Sequence, residues 1–129
     1  MTDEILLDTN AVIALFKDEK PVLERILRSK KCYVPSIVLG ELYFGAYKSA
    51  FSEKNLQRIK QLEETSEILI PDRTTANIYG QEKSKLEAKG RLIPDNDLWI
   101  VSLALQHHLT VITKDAHFSE IQTLPIERW

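Results

Sequence analysis

Short apolar runs of strand length alternate with helix-length stretches along this chain, and that alternation admits few folds. Residues 4–7, 31–34, 68–70, 110–112 and 124–126 read as strands. Residues 11–16, 21–29, 36–47, 53–64, 75–89 and 97–108 carry helical spacing, and 118–121 reads as a single helical turn. Strands separated by helices pair in parallel, because each helix carries the chain back across the sheet. The expected architecture is therefore a three-layer α/β/α fold with a central, mainly parallel five-stranded sheet, one domain over residues 1–129. Pro35, Pro71 and Gly90 mark ends of elements, Gly90 in the position expected just beyond a helix. Residues 36–47 are apolar almost all round, which predicts a helix buried on more than one side, with Phe44 in the core.

In an open parallel sheet, sites are built on the rim formed by the carboxyl ends of the strands. Four acids fall at that rim or on helices beside it. Asp8 follows Ile-Leu-Leu, Glu41 lies in Gly-Glu-Leu, Asp97 opens the helix in Asp-Asn-Asp-Leu-Trp-Ile, and Asp115 follows Val-Ile-Thr-Lys. Each has an ordinary reading of its own. Asp8 and Asp95 sit where helix N-caps are favoured, Asp95 being expected one step outside the helix that Asp97 begins. Asp97 is in a first turn, where the helix dipole favours an acid. Glu41 is harder to dismiss, since a carboxylate among apolar neighbours is costly unless paired or coordinated. Taken together, four carboxylates on one rim would repel one another, and hard divalent cations with oxygen ligands relieve such repulsion. Thr9, Asn10 and Thr113 offer hydroxyl and amide groups to orient the acids, a water or a phosphate. This pattern points to a Mg²⁺- or Mn²⁺-dependent phosphodiesterase acting on RNA.

Composition narrows the setting. The chain has 129 residues, 43% of them hydrophobic, enough for a core. No apolar run approaches the roughly 20 residues that span a bilayer, so no membrane role is expected. The start, Met1-Thr2-Asp3-Glu4, is acidic and lacks the pattern of a signal peptide. Cys32 is the one cysteine, which leaves no disulfide or cysteine zinc site, and it is expected in the core. These features predict a cytoplasmic protein. The net charge of −2 argues mildly against a general nucleic-acid binder, since that affinity comes from Lys and Arg. Basic residues group at Arg28, Lys30 and Lys31, at Lys54, Arg58 and Lys60, and at Lys83, Lys85, Lys89 and Arg91, in patterns typical of solvated helix faces. His107 and His108 end a helix, where they suit its dipole, and His117 is expected in an exposed loop.

The order Ile-Leu-Leu-Asp-Thr-Asn, Gly-Glu-Leu-Tyr-Phe-Gly, Asn-Asp-Leu-Trp-Ile and Thr-Lys-Asp-Ala-His-Phe resembles the PIN domain, most closely the VapC-type toxins of toxin–antitoxin pairs. The resemblance spans the whole chain. It implies a Mg²⁺- or Mn²⁺-dependent endoribonuclease with Asp8, Glu41, Asp97 and Asp115 as catalytic and metal-binding acids. It implies Thr113 as a further catalytic position and Thr9 and Asn10 in support. It also implies a homodimer, and an antitoxin whose C-terminal segment enters the groove and blocks the acids. In the chemistry implied, a metal-activated water attacks phosphorus in line with the departing 3′-oxygen. One departure is Ile100-Val101-Ser102, where many relatives have Ile-Ala-Ala, a change that bears on helix packing.

Three rival classes make different demands. A receiver-type phosphoacceptor domain also gathers acids around Mg²⁺, but here Asp72 would have to be its acceptor. A catalytically silent PIN-fold binding protein would take up no metal. A DNA-directed nuclease needs clamping elements for which this length leaves little room.

Overall fold

A computed structural model describes residues 3–129; Met1 and Thr2, which the reading of the N-terminus included, lie outside the described residues. The elements run β1 (Glu4–Leu7), α1 (Thr9–Phe16), α2 (Lys20–Arg28), β2 (Lys31–Pro35), α3 (Ser36–Lys48), α4 (Ser52–Thr65), β3 (Glu67–Leu69), α5 (Arg73–Ala88), α6 (Asp95–His107), β4 (Thr110–Thr113) and β5 (Ile126–Arg128). A 3₁₀ turn, Ala116–Glu120, lies between β4 and β5. The five strands form one sheet in the order β3-β2-β1-β4-β5, and every pairing is parallel. The sheet is flanked by helices, as the alternation of elements predicts. No helix among the described residues is long and apolar enough to cross a membrane.

Strand β1 is central and, beyond Glu4, apolar on both faces, with Ile5, Leu6 and Leu7 all buried. That is the pattern of a parallel strand covered by helices on each side. Its neighbours are the key to the site. After β1 the chain builds outward through β2 and β3 on one side, then returns to lay β4 on the other. The crevice between β1 and β4 is thus the switch point of the sheet, where open α/β proteins place ligands. The register pairs Leu7 with Ile112, so the residues just beyond, Asp8 and Thr113, emerge side by side.

Several sequence expectations shift on the structure. The fifth strand lies at Ile126–Arg128 rather than 124–126, because the ladder with β4 begins at the Pro125 carbonyl, which accepts from the Val111 N–H. Leu124 is buried ahead of the strand. The third strand ends at Leu69, and Ile70 is 71% exposed on this edge of the sheet. Helix α3 is not buried on more than one side. It buries only Val38, Leu42 and Ala46, while Phe44 and Tyr47 are 66% and 70% exposed. Phe44 is therefore a surface residue, because a period of 3.6 places it opposite the Leu42–Ala46 stripe. Helix α6 starts at Asp95, so Asp95 is inside the first turn; its carboxylate accepts from the Tyr79 hydroxyl at 2.8 Å rather than capping. Cys32 is half-buried, and burial pushes its thiol up to about 11. Gly90 does sit just past α5 at φ +66°, the left-handed conformation that suits glycine.

The segment carrying Asp115 is pinned from below. Phe118, two turns of chain away from β4, is fully buried in the core with Ile121 and Leu124. Replacing Phe118 with Ala is expected to cost about 3–5 kcal/mol in urea unfolding, as for other large-to-small changes of buried aromatics. Leu27→Ala, at a position 83% exposed, should stay within about 0.5 kcal/mol. Equal effects of the two changes would show that Phe118 does not anchor the loop.

Candidate metal-dependent active site

Asp8 enters the site from the end of β1, where it does two things at once. Its Oδ1 accepts from the Ala11 backbone N–H at 2.8 Å and caps α1. Its Oδ2 accepts from the Thr113 hydroxyl at 2.5 Å. The Thr113 oxygen in turn accepts from the Asp115 backbone N–H at 2.8 Å. Thr113 is wholly buried, so its hydroxyl ties two acids together rather than reaching solvent. On the other side, the Thr9 hydroxyl donates to Glu41 Oε1 at 3.0 Å, fixing the carboxylate that α3 presents. Asn10 is exposed beside them.

Asp8, Glu41, Asp97 and Asp115 line one cavity of about 490 Å³, together with Thr9, Asn10, Asp95 and Asn96. The structure thus brings all four predicted acids to one place. They are not equally close. The tightest grouping is Asp97, Asp115 and His117, whose ligand-type atoms lie within 4.8 Å of one another. Asp8 and Glu41 face the same cavity outside that trio. Asp72, the acceptor that a receiver-type reading requires, lies elsewhere: it caps α5, accepting from the Thr75 N–H at 3.1 Å and from the Gln106 side chain at 3.0 Å.

His117 was not among the residues that sequence reasoning placed here. It is exposed, as expected of a loop residue, yet its Nδ1 is 3.0 Å from Asp115 and 3.7 Å from Asp97. The signal available in the sequence was its spacing, two residues beyond an acid at a strand end. Among the described residues, His117 is the one cationic-capable side chain within 4.0 Å of any of the four acids. Of the basic residues grouped in sequence, Lys31 pairs with Glu67, Lys85 with Glu82 and Arg91 with Glu120, while Lys83 pairs with Asp95 of the cavity wall.

The cluster's negative charge is therefore largely uncompensated, and proton affinities rise. Burial pushes Asp8 above the ordinary carboxylate range, against the pull of the Thr113 and Ala11 hydrogen bonds; the Asp115 and Glu41 charges add to the rise. Burial and the Asp115 carboxylate raise Asp97 to about 6, with His117 opposing and Glu41 and Asp8 contributing further. Asp97 occupies the first turn of α6, where the helix dipole favours the ionised form by about 0.3–1 kcal/mol. Desolvation and like charge outweigh that, since a shift of one unit already amounts to about 1.4 kcal/mol. Oxygen donors held close, raised carboxylates and little nearby positive charge are the properties of a site that fits a hard divalent cation.

Comparison with known proteins agrees with this geometry. The PIN domain profile matches residues 5–124, and the chain belongs to the PIN domain family. Relatives that it matches over nearly their whole length include VapC ribonucleases. It is 33% identical to ribonuclease VapC1 of Haemophilus influenzae (strain R2866), covering 96% of each chain. It is 31% identical to the tRNA(fMet)-specific endonuclease VapC of Shigella flexneri, covering 98% of each. Among solved structures, VapBC2 from Rickettsia felis bound to a DNA fragment from its promoter superposes with a TM-score of 0.88, at 30% identity over 98% of each chain.

The raised Asp97 fixes a sign. Between its ordinary value of 3.8 and about 6, the unfolded chain releases this proton before the folded one, so stability falls as pH rises through that window. In EDTA at neutral pH, Asp97→Asn should stabilise the protein by about 1–3 kcal/mol. The advantage should vanish below about pH 4, where both forms are neutral. Thermal unfolding across pH measures this, and a destabilised Asn variant at neutral pH would contradict it.

Proposed function

We propose that this protein is a divalent-metal-dependent endoribonuclease that hydrolyses RNA phosphodiester bonds, and that it serves as the toxin of a toxin–antitoxin pair. The observation that carries this reading is the joint lining of one switch-point cavity by Asp8, Glu41, Asp97 and Asp115. The named activities of the VapC relatives support the substrate class.

The donor set suits Mg²⁺ or Mn²⁺: carboxylate oxygens in excess of nearby positive charge. Asp97 and Asp115, whose ligand-type oxygens lie within 4.8 Å of one another, would hold the ion, with Asp8 and Glu41 completing the negative wall of the cavity. When bound, such a cation supplies Lewis acidity toward a water nucleophile and neutralises charge on the phosphoryl oxygens. The protein's own groups supply position. Thr113 locks Asp8 and the Asp115 backbone to one hydroxyl, which keeps both acids from swinging apart under mutual repulsion. Thr9 sets the Glu41 carboxylate. Asn10, exposed at the edge of the cavity, offers an amide donor to a phosphate oxygen.

The partner reading has its own support. A second groove of about 260 Å³, lined by Ile13, Phe16, Leu42, Ala46 and Ile59 with Arg58, shares Thr9 and Glu41 with the acidic cavity. An antitoxin segment laid along it would end at the acids. Phe44, Tyr47 and Phe51 form an exposed aromatic surface on α3 and the turn after it, apt for a homodimer or the same antitoxin.

Asp8→Asn tests the activity. Asn keeps the Oδ1 that caps α1, so the fold should persist, while metal-dependent cleavage of structured RNA, including a panel of transfer RNAs, should fall by on the order of 10²- to 10³-fold. RNA cut at the parental rate would refute the assignment, and equal cleavage of DNA would move it to another nuclease class. For the partner surface, sedimentation of the parent chain should give a dimer, and a Phe44→Asp, Tyr47→Asp double variant a monomer. A parent that stays monomeric at high micromolar concentration would remove self-association from the proposal.

A further inference from the structure

Two of the cavity's acids, Asp97 and Asp115, have an imidazole nitrogen beside them. The Nδ1 of His117 lies 3.0 Å from Asp115 Oδ1 and 3.7 Å from Asp97 Oδ2, and ligand atoms of the three residues fall within 4.8 Å of one another. Six donors placed about 2.1 Å from one ion stand about 3 Å apart when adjacent and about 4.2 Å apart when opposite. The two distances from His117, 3.0 Å and 3.7 Å, fall inside that range. The backbone beneath the imidazole is held: the His117 N–H donates to Asp115 Oδ1 at 2.9 Å, and the next residue, Phe118, is fully buried. The ring itself is half-exposed, so little rearrangement separates it from a ligating pose.

Two roles suit a histidine between two carboxylates. Protonated, it is a counter-charge that competes with a cation. Neutral, it is a ligand that joins the acids around the cation. We propose the second: His117 is a nitrogen ligand of the ion held by Asp97 and Asp115, and it biases the site toward first-row transition ions such as Mn²⁺ over Mg²⁺. The inference rests on the cation-dependent reading above. Mg²⁺ demands oxygen donors and gives up its water reluctantly. Imidazole is the better partner for transition ions, whose affinity for nitrogen-containing sites exceeds that of Mg²⁺. An all-carboxylate cavity has no such basis for discrimination, so the preference should follow this one residue.

The test uses the full chain, titrated calorimetrically with Mn²⁺ alone and with Mg²⁺ alone at neutral pH. It is paired with spin-echo spectroscopy of bound Mn²⁺ for the coupling of a directly ligated imidazole nitrogen. The parent should bind Mn²⁺ at least about tenfold more tightly than Mg²⁺ and show the nitrogen coupling. His117→Gln, which exchanges the nitrogen for an amide oxygen at an exposed position, should lose the coupling and most of the preference. Bound Mn²⁺ without nitrogen coupling would overturn the proposal. So would a Gln variant that binds both ions more tightly by the same factor, the result expected from removing a counter-charge. Either outcome leaves the nuclease reading intact, whereas a parent that binds neither ion removes both.

Discussion

One buried hydroxyl joins the two strands on which this site depends. Thr113 ends β4, Asp8 follows β1, and the parallel register of those strands makes their side chains neighbours. The Thr113 hydroxyl donates to Asp8 and its oxygen accepts from the Asp115 backbone N–H, so the end of β1 and the segment after β4 share one hydroxyl's hydrogen bonds. Without that link, Asp8 and Asp115 are two like charges on adjacent strand ends with every reason to separate. A hydrogen bond to a charged group contributes on the order of 1.5–3 kcal/mol. That is comparable to the electrostatic cost of holding carboxylates close in a partly desolvated pocket, which explains why the threonine is fully enclosed rather than solvated.

The arrangement also shows how a small protein tolerates a locally unfavourable cluster. The acids sit on the rim, where the sheet has already been stabilised by the apolar β1 and β4 strands and by α6, whose Leu98, Ile100, Val101, Leu103 and Ala104 are all buried. Even the Ser102 of that helix is accommodated, its hydroxyl donating to the Leu98 carbonyl at 2.7 Å. The Ile-Val-Ser departure in sequence is thus absorbed by back-bonding within the helix and leaves Asp97 at its N-terminus undisturbed. The core supplies the stability that the rim forgoes, and strain at a functional site is held by the packing beneath it.

What could be read from sequence and what could not divide along physical lines. Helices were legible because a dozen residues of 3.6-residue period accumulate signal, and central strands because Ile5-Leu6-Leu7 and Val111-Ile112 are unambiguous. Edge strands β3 and β5 were displaced by one or two residues, since a three-residue strand is defined by its partner's hydrogen bonds more than by its own side chains. Phe44 and Asp95 were misplaced for a related reason. An apolar residue on an apolar helix carries no mark of which face is covered, and an acid near a helix start reads equally as cap or first turn until Tyr79 claims it. Asp8 and Asp115 were legible because strand-end position is a sequence property, Glu41 because a carboxylate among apolar neighbours stands out, and Asp97 because an apolar helix begins beside it. The proximity of His117 to Asp97 was not legible, because it depends on how the loop after β4 folds back over the start of α6.

The cavity and the groove beside it meet at a shared wall. Thr9 and Glu41 belong to both walls, and the hydrogen bond between them is the physical boundary. Anything seated in the apolar groove rests against the residue that orients Glu41, while Asp97, Asp115 and His117 are not among the residues that line that groove. The site is therefore divided into a part that a bound segment touches and a part that it does not. Under the proposed reading, linkage requires that a segment which displaces Glu41 weakens cation binding, and that the cation weakens binding of the segment by the same factor. A segment that leaves Glu41 in place carries no such penalty and blocks only by covering the acids. The hydrogen bond from Thr9 that orients Glu41 is the contact on which these two outcomes of the proposal differ.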